Sequence, residues 1–208
     1  MEIIYGTSNK HKVEDMSRVF KEYNVHANLE RLSDIGFDRE IIEDGTTFEE
    51  NSEIKARAIE AFCKEKGITG RIIITDDAGL CINHLNGEPG VYSARYAGEN
   101  ATQEESVNLI LDKMKDATDR SCKFVCVLTA IVLDSGEKIV ARGECLGSIA
   151  KEHGVLKGLT YSPIFVPEGC DRPMSEMNPE EYVAVHNHRD QAMKKIIEEF
   201  KSRGFVNL

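Results

Sequence analysis

Chemistry concentrates in Thr75-Asp76-Asp77-Ala78-Gly79-Leu80. Two adjacent carboxylates repel each other when both are ionised, and a hard cation such as Mg²⁺ with its waters is the usual way to neutralise them. They follow Arg71-Ile72-Ile73-Ile74-Thr75, an apolar β-branched run that reads as a buried strand, and Gly79 then marks a turn. Carboxylates at the C-terminal end of a buried strand stand where α/β sheets place their ligands. A plain turn before a glycine would carry the same two residues, so both readings stand at this point.

A second candidate opens the chain. Glu2 to Gly6 reads as a strand and Thr7-Ser8-Asn9 as a polar turn. An amphipathic helix follows, with Val13, Met16, Phe20 and Tyr23 at three- and four-residue spacing. A turn that leads into a helix N-terminus offers backbone N–H groups to an anion, and Lys12 can reach the same anion. No P-loop or GxGxxG pattern is present, so Ser8 or Asn9 as a simple helix cap explains the turn equally well.

The remaining elements must position these groups. Residues 25 to 42 read as a strand, a polar loop and a second short strand. Thr47 and Glu50 form a capping box that opens a helix through about Cys63 and gives Glu50 a structural duty. Glu43, in the turn before it, lacks such a duty and is the metal-ligand candidate. Ile54, Ala58, Ala61 and Phe62 make that helix's apolar face, and Lys66-Gly67 ends it. Leu80 to Leu85 continues as a strand to the turn Asn86-Gly87. A second capping box, Thr102 to Glu105, opens a helix with Val107, Ile110, Leu111 and Met114 on one face. Strands over Cys122 to Leu133 and Lys138 to Gly143 flank a hairpin turn at 134–137, and another strand spans Leu146 to Ala150. Glycines and prolines from Gly154 to Pro173 forbid a long helix and suggest a binding loop. Residues 178 to 203 read as a helix ended by Gly204.

With 208 residues and neither a repeat nor a linker, one domain over 1–208 is expected. Lys+Arg 26 against Asp+Glu 36 gives a net charge of −10, which disfavours nucleic-acid polymers and anionic membranes. No 18-residue apolar run and no signal-peptide layout are present, so the chain is expected in the cytoplasm. Six scattered cysteines without a CxxC pair read as reduced core thiols.

Several segments, in this order, resemble the inosine triphosphate pyrophosphatase family. Thr7-Ser8-Asn9-Lys10-His11-Lys12 is similar to its T-G-N-x-x-K. Gly45-Thr46-Thr47-Phe48-Glu49-Glu50-Asn51 with Lys55-Ala56 is similar to G-x-T-F-x-E-N-x-x-x-K-A. Thr75 to Leu80 resembles A-D-D-S-G-L, Gly87 to Tyr96 resembles G-x-P-G-V-Y-S-A-R-Y, and Asn187-His188-Arg189 resembles S-H-R. The resemblance implies an elongated two-lobed α/β fold around a long mixed central β-sheet with flanking helices and a nucleotide cleft between the lobes. It also implies homodimers and Mg²⁺-dependent hydrolysis of nucleoside triphosphates, such as ITP, dITP and XTP, to monophosphate and pyrophosphate. Asp77 matches the general base and a metal ligand, with Asp76 and Glu43 completing the metal shell. Thr7, Ser8, Asn9 and Lys12 would hold the triphosphate, helped by Lys55 and Arg95. Ala78 and Gly79, following Asp77, complete the substrate contacts together with Leu159, Thr160, Tyr161, Ser162, Tyr182, His188 and Arg189.

Departures gather on the base-reading side. The family's G-F-G-Y-D-P is here Gly158-Leu159-Thr160-Tyr161-Ser162-Pro163, which replaces a stacking aromatic and a carboxylate. An aromatic platform is worth about 1–3 kcal/mol per base. Tyr182 stands in place of a lysine, one residue is inserted before His188, and Ala78 replaces a serine. Two readings follow: a pyrophosphatase with shifted base choice, or a nucleotide-binding regulator with weakened catalysis. Retained Asp76, Asp77 and Lys12 favour the enzyme.

Overall fold

Ile3, Ile4 and Tyr5 of strand β1 (Glu2–Tyr5) are all fully buried, so β1 is covered on both faces, as parallel strands usually are. The structure, a computed structural model, describes residues 1–7 and 10–205, without the side chains of residues 10 and 11. β1 pairs in parallel with β2 (Asn28–Arg31) and with β3 (Ile72–Ile82), Tyr5 lying opposite Ile74. β4 (Ser121–Val132) and β5 (Lys138–Ile149) follow, and β6 (Phe165–Pro167) pairs antiparallel to β5. The strand order β2-β1-β3-β4-β5-β6 makes one six-stranded mixed sheet. The helices are α1 (Lys10–Glu22), α2 (Phe48–Lys66), α3 (Gln103–Lys113), α4 (Pro179–Ala184) and α5 (His188–Ser202).

The chain divides into two compact units. One holds Met1–Asp77, Cys126–Gly143 and the segment from Arg189 onward; the other holds Ala78–Val125 and Glu144–His188. In the first, Ala56, Ile59, Phe62 and Cys63 of α2 pack with Ile4, Ile73 and Ile131. In the second, Val107 and Ile110 of α3 and Met114 just after it pack with Leu80, Phe124, Tyr161 and Phe165. Each such fully buried aliphatic or aromatic side chain contributes on the order of 1.5–3 kcal/mol of transfer free energy.

Both anticipated capping boxes form, Thr47 with Glu50 and Thr102 with Glu105. Other expectations need correction. Asp76 and Asp77 do not end a strand: β3 runs straight through them, and Gly79 continues it instead of turning. Between 25 and 42 only β2 forms; the rest is turn and coil, with Phe37 packed edge-on to Phe62 at 5.1 Å in place of a second strand. Residues 138 to 150 give one strand, β5, not two. On α2, Ile54 and Ala58 are only half-buried and Ala61 is exposed. The buried stripe instead runs through Phe48, Ser52, Ala56, Ile59 and Cys63. Small residues face the sheet there because Ser52 exchanges hydrogen bonds with Thr75: the Thr75 hydroxyl donates to Ser52 O at 2.7 Å, and the Ser52 hydroxyl to Thr75 O at 3.3 Å. Finally, 178 to 203 is two helices, because His186 takes a left-handed φ of 46° that ends α4 and lets α5 start at His188.

None of the six cysteines is in a disulfide, and Cys63, Cys122, Cys126 and Cys145 are buried. Burial pushes the Cys122 and Cys126 thiols up to about 12 and Cys145 to about 11. Only thiolates react quickly with disulfide reagents. At pH 8 the native protein should therefore titrate at most Cys81 and Cys170 quickly, with the full complement appearing after denaturation. Rapid native reaction of the four buried thiols would contradict this packing.

Candidate active site

Successive side chains of a strand leave opposite faces, so Asp76 and Asp77, neighbours within β3, meet different partners. Asp76 is 2% exposed. Its Oδ2 accepts from Lys12 Nζ at 2.8 Å and Arg189 Nη2 at 3.3 Å, and its Oδ1 accepts from the Tyr5 hydroxyl at 3.3 Å. Burial alone would raise the Asp76 carboxyl, but Lys12 and Arg189 outweigh it and hold the group well below the usual carboxylate range. Burial, and then the charge on Asp76, push the Tyr5 phenol well above its ordinary value, so it stays a donor. Tyr5 is a contact that sequence reasoning missed, since a tyrosine in an apolar strand reads as core; its hydroxyl was the only signal.

Asp77 faces α2. Asn51 Nδ2 donates to its Oδ2 at 3.2 Å, and Lys55 Nζ lies 3.5 Å from its Oδ1 and 2.9 Å from Glu43 Oε2. Asn51 and Lys55 are four residues apart and so share one helix face. Asn51 Oδ1 also accepts from the Gly45 N–H at 2.9 Å, which ties the Glu43 loop to the helix. A Cβ on Gly45 would lie 2.6 Å from that oxygen, so the approach requires glycine. Burial raises the Asp77 carboxyl above its ordinary value; Lys55 and Asn51 offset this only in part, and Glu43 and Asp76 add to it. Burial would lower the Lys55 ammonium, but Asp77, Asp76 and Glu43 together leave it raised and charged. Asn51 carried no assigned role in the sequence reading; its place one turn before Lys55 on the capped helix was the available signal.

Among the described residues no three His, Cys, Asp or Glu side chains are gathered to hold a metal ion. The expected trio of Asp76, Asp77 and Glu43 does not assemble, because Asp76 turns to Lys12 and Arg189. Glu43 and Asp77 do converge on one ammonium. Mg²⁺ is commonly held by one or two carboxylates with waters and phosphate oxygens, so this pair fits such an ion.

Of the other expected contacts, Ser8 and Asn9 lie outside the described residues. Thr7 is 8% exposed, and its N–H donates to Tyr5 O at 2.7 Å. Ala78 and Gly79 continue β3. Arg95 is exposed, with its guanidinium 5.2 Å from the centre of the Tyr92 ring. His188 stacks on Phe124 at 5.0 Å. Tyr182 packs at the edge of the second unit's core.

The loop around Leu159 is built on its own backbone. Tyr161 is buried and its hydroxyl donates to Ser93 O at 3.0 Å, while Gln103 Nε2 donates to Leu159 O at 2.9 Å. Leu159 is half-buried and Thr160 exposed. The Ser162 hydroxyl, 3% exposed, lies 2.7 Å from both Lys157 O and Leu159 O and can donate to either. A carboxylate there has no proton to give and would face two carbonyl oxygens. Ser162→Asp should therefore lower stability by about 1–3 kcal/mol in urea unfolding; an unchanged midpoint would show that the loop reorients freely.

The profile of the Ham1 family matches residues 3–199. The chain belongs to the Ham1 family. A dITP/XTP pyrophosphatase of Clostridium perfringens (strain 13 / Type A) is 37% identical over 200 residues, 95% of this chain and 96% of that one. The Ham1 protein of Staphylococcus aureus superposes with a TM-score of 0.83 at 32% identity, covering 98% of this chain and 100% of that one. A HAM1 protein from Coxiella burnetii gives a TM-score of 0.84 at 31% identity, covering 97% and 99%. The mixed α/β fold is the Ham1 fold, and the family is the one the motifs resembled.

Proposed function

We infer that this chain hydrolyses nucleoside triphosphates to the nucleoside monophosphate and pyrophosphate, with a divalent metal ion, Mg²⁺ being the one expected. The observation that carries the reading is the separation of duties on β3. Glu43 and Asp77 converge on one cation position, while Asp76 gathers the cations Lys12 and Arg189. The activity that the relatives are named for, dITP/XTP pyrophosphatase, supports it.

Hydrolysis at the α-phosphorus needs a placed water, a base and positive charge on the departing pyrophosphate. Asp77 is the base, and Asn51 Nδ2 orients its carboxylate by donating to Oδ2. Its raised carboxyl lies closer to neutrality than an exposed aspartate, which makes it a better proton acceptor once ionised. Lys12, with its stem partly exposed, turns from Asp76 toward the phosphates, while buried Arg189 keeps Asp76 ionised. Thr7, just after β1, would contact the same phosphates, with Ser8 and Asn9 the further contacts expected from the motif. Glu43 and Asp77 would hold the metal ion, which supplies Lewis-acid charge for the phosphate oxygens and lowers the pKa of a bound water.

The substrates proposed are deaminated purine nucleotides such as ITP, dITP and XTP, within one pyrophosphatase domain over 1–208 that acts as a cytoplasmic homodimer. No helix among the described residues is long and apolar enough to cross a membrane. Base choice rests on Leu159 and Tyr182 more directly than on Ser162, whose hydroxyl serves the loop. The deciding experiment is a panel of standard, deaminated and modified nucleoside triphosphates with Mg²⁺ or Mn²⁺, scored for pyrophosphate. Turnover of the deaminated purines is expected, and Leu159→Phe should shift relative rates toward ITP. Saturable nucleotide binding without turnover on any member of the panel would convert the enzyme reading into that of a nucleotide-binding regulator.

A further inference from the structure

Lys55 holds the same two carboxylates that the proposed metal ion would need. Its Nζ lies 2.9 Å from Glu43 Oε2 and 3.5 Å from Asp77 Oδ1, and its side chain is only 12% exposed. It is not a loose surface cation. It rises from the second turn of a helix whose capping box fixes its start, one turn beyond an asparagine that is bonded to both Gly45 and Asp77.

We propose that Lys55 competes with the divalent cation for Glu43 and Asp77, so that the metal binds well only together with a triphosphate. A dication on those oxygens would stand within a few ångströms of an ammonium, and like charges at that distance in a partly buried site repel strongly. The ammonium needs another anion before it can yield the carboxylates. A triphosphate is such an anion, and it carries its own share of the metal's ligands. Metal and nucleotide would then each raise the other's affinity by the same factor, as linkage requires. A metal-loaded but nucleotide-free site, able to activate water against other phosphates, would be kept scarce. This inference rests on the reading of Glu43 and Asp77 as metal-binding carboxylates.

The test measures Mn²⁺ binding by electron paramagnetic resonance, with and without an α,β-imido analogue of inosine triphosphate, which cannot be cut at the scissile bond. In the wild type, Mn²⁺ alone should bind weakly and the analogue should tighten it. Lys55→Met should tighten Mn²⁺ binding without nucleotide about tenfold or more and reduce the tightening caused by the analogue. Lys55→Arg, which keeps the charge, should behave as the wild type. Adding Asp77→Asn to Lys55→Met should abolish the gain, which assigns it to this site and not to the acidic surface. Should Lys55→Met fail to fold by circular dichroism, Lys55→Gln takes its place with the same expectation. A neutral variant that binds Mn²⁺ no better than the wild type, or an arginine variant that gains as much as the neutral one, overturns the proposal. The substrate panel fails separately: absence of turnover would count against the enzyme reading whatever the Mn²⁺ titration shows.

Discussion

Asp76→Asn should cost about 3–5 kcal/mol of folding stability, the usual penalty for removing one partner from a buried ion pair. Asp76 is 2% exposed and Arg189 3%, so the asparagine would take a directly paired counter-charge from a guanidinium in the interior. Arginine cannot discharge by losing its proton. Lys12, 2.8 Å away, would lose the same anchor, and the Tyr5 hydroxyl would face an amide in place of a carboxylate. The sign of the pH dependence follows from the carboxyl's position below its ordinary 3.8. A depressed group contributes stability that is present above the unfolded value and is lost as pH falls through the folded one. The gap between wild type and variant should therefore be full at neutral pH and close only in strong acid. Urea unfolding at pH 7 and near pH 3 compares the full gap with one that has begun to narrow. Equal stability at pH 7 would show that Asp76 is not an electrostatic anchor of the fold.

Asp77→Asn should do the reverse to stability while removing activity. An asparagine cannot accept the proton from water, and loss of a positioned general base typically costs about 10²–10⁴-fold in rate; weaker metal binding would add to this. Yet the Asp77 carboxyl is raised by burial, with Lys55 and Asn51 offsetting only part of it. A raised carboxyl folds most favourably when protonated, so its stability contribution is full below the unfolded value and lost as pH rises through the folded one. At pH 7 the ionised group is a cost, and the neutral amide removes it. The melting temperature of Asp77→Asn should equal or exceed that of the wild type, with pyrophosphate release down by at least two decades. An inactive but strongly destabilised variant would mean that Asp77 is a structural ion-pair partner. The two adjacent aspartates thus predict opposite thermal shifts, and one melting experiment on both variants compares them directly.

Much of the local structure was legible from residue types alone. The capping boxes at Thr47 and Thr102 depend on groups three residues apart, so the chain needs no distant partner to declare them. The apolar run from Ile72 to Ile74 declared a buried strand for the same reason. What failed was the strand's end. Two acids and a glycine read as a stop, but β3 continues because Asp76 and Asp77 find cations once the fold is complete. The break at His186 was equally hidden, since left-handed backbone at a histidine has no reliable local marker.

Family membership, the β3 strand core and the identity of the charged groups were determined by the sequence itself, through short-range spacing and ordered motifs. The assignment of partners was not. Lys12 and Arg189 lie 64 and 113 residues from Asp76, and Lys55 lies 22 from Asp77. Only the packed sheet and helices bring them within hydrogen-bonding reach. The alternation of side chains along β3 then sends neighbouring carboxylates to different duties, one to hold cations in place and the other to face Asn51, Lys55 and the Glu43 loop. Adjacency in sequence suggested a shared metal site; the two-residue period of a strand gives the two side chains different partners.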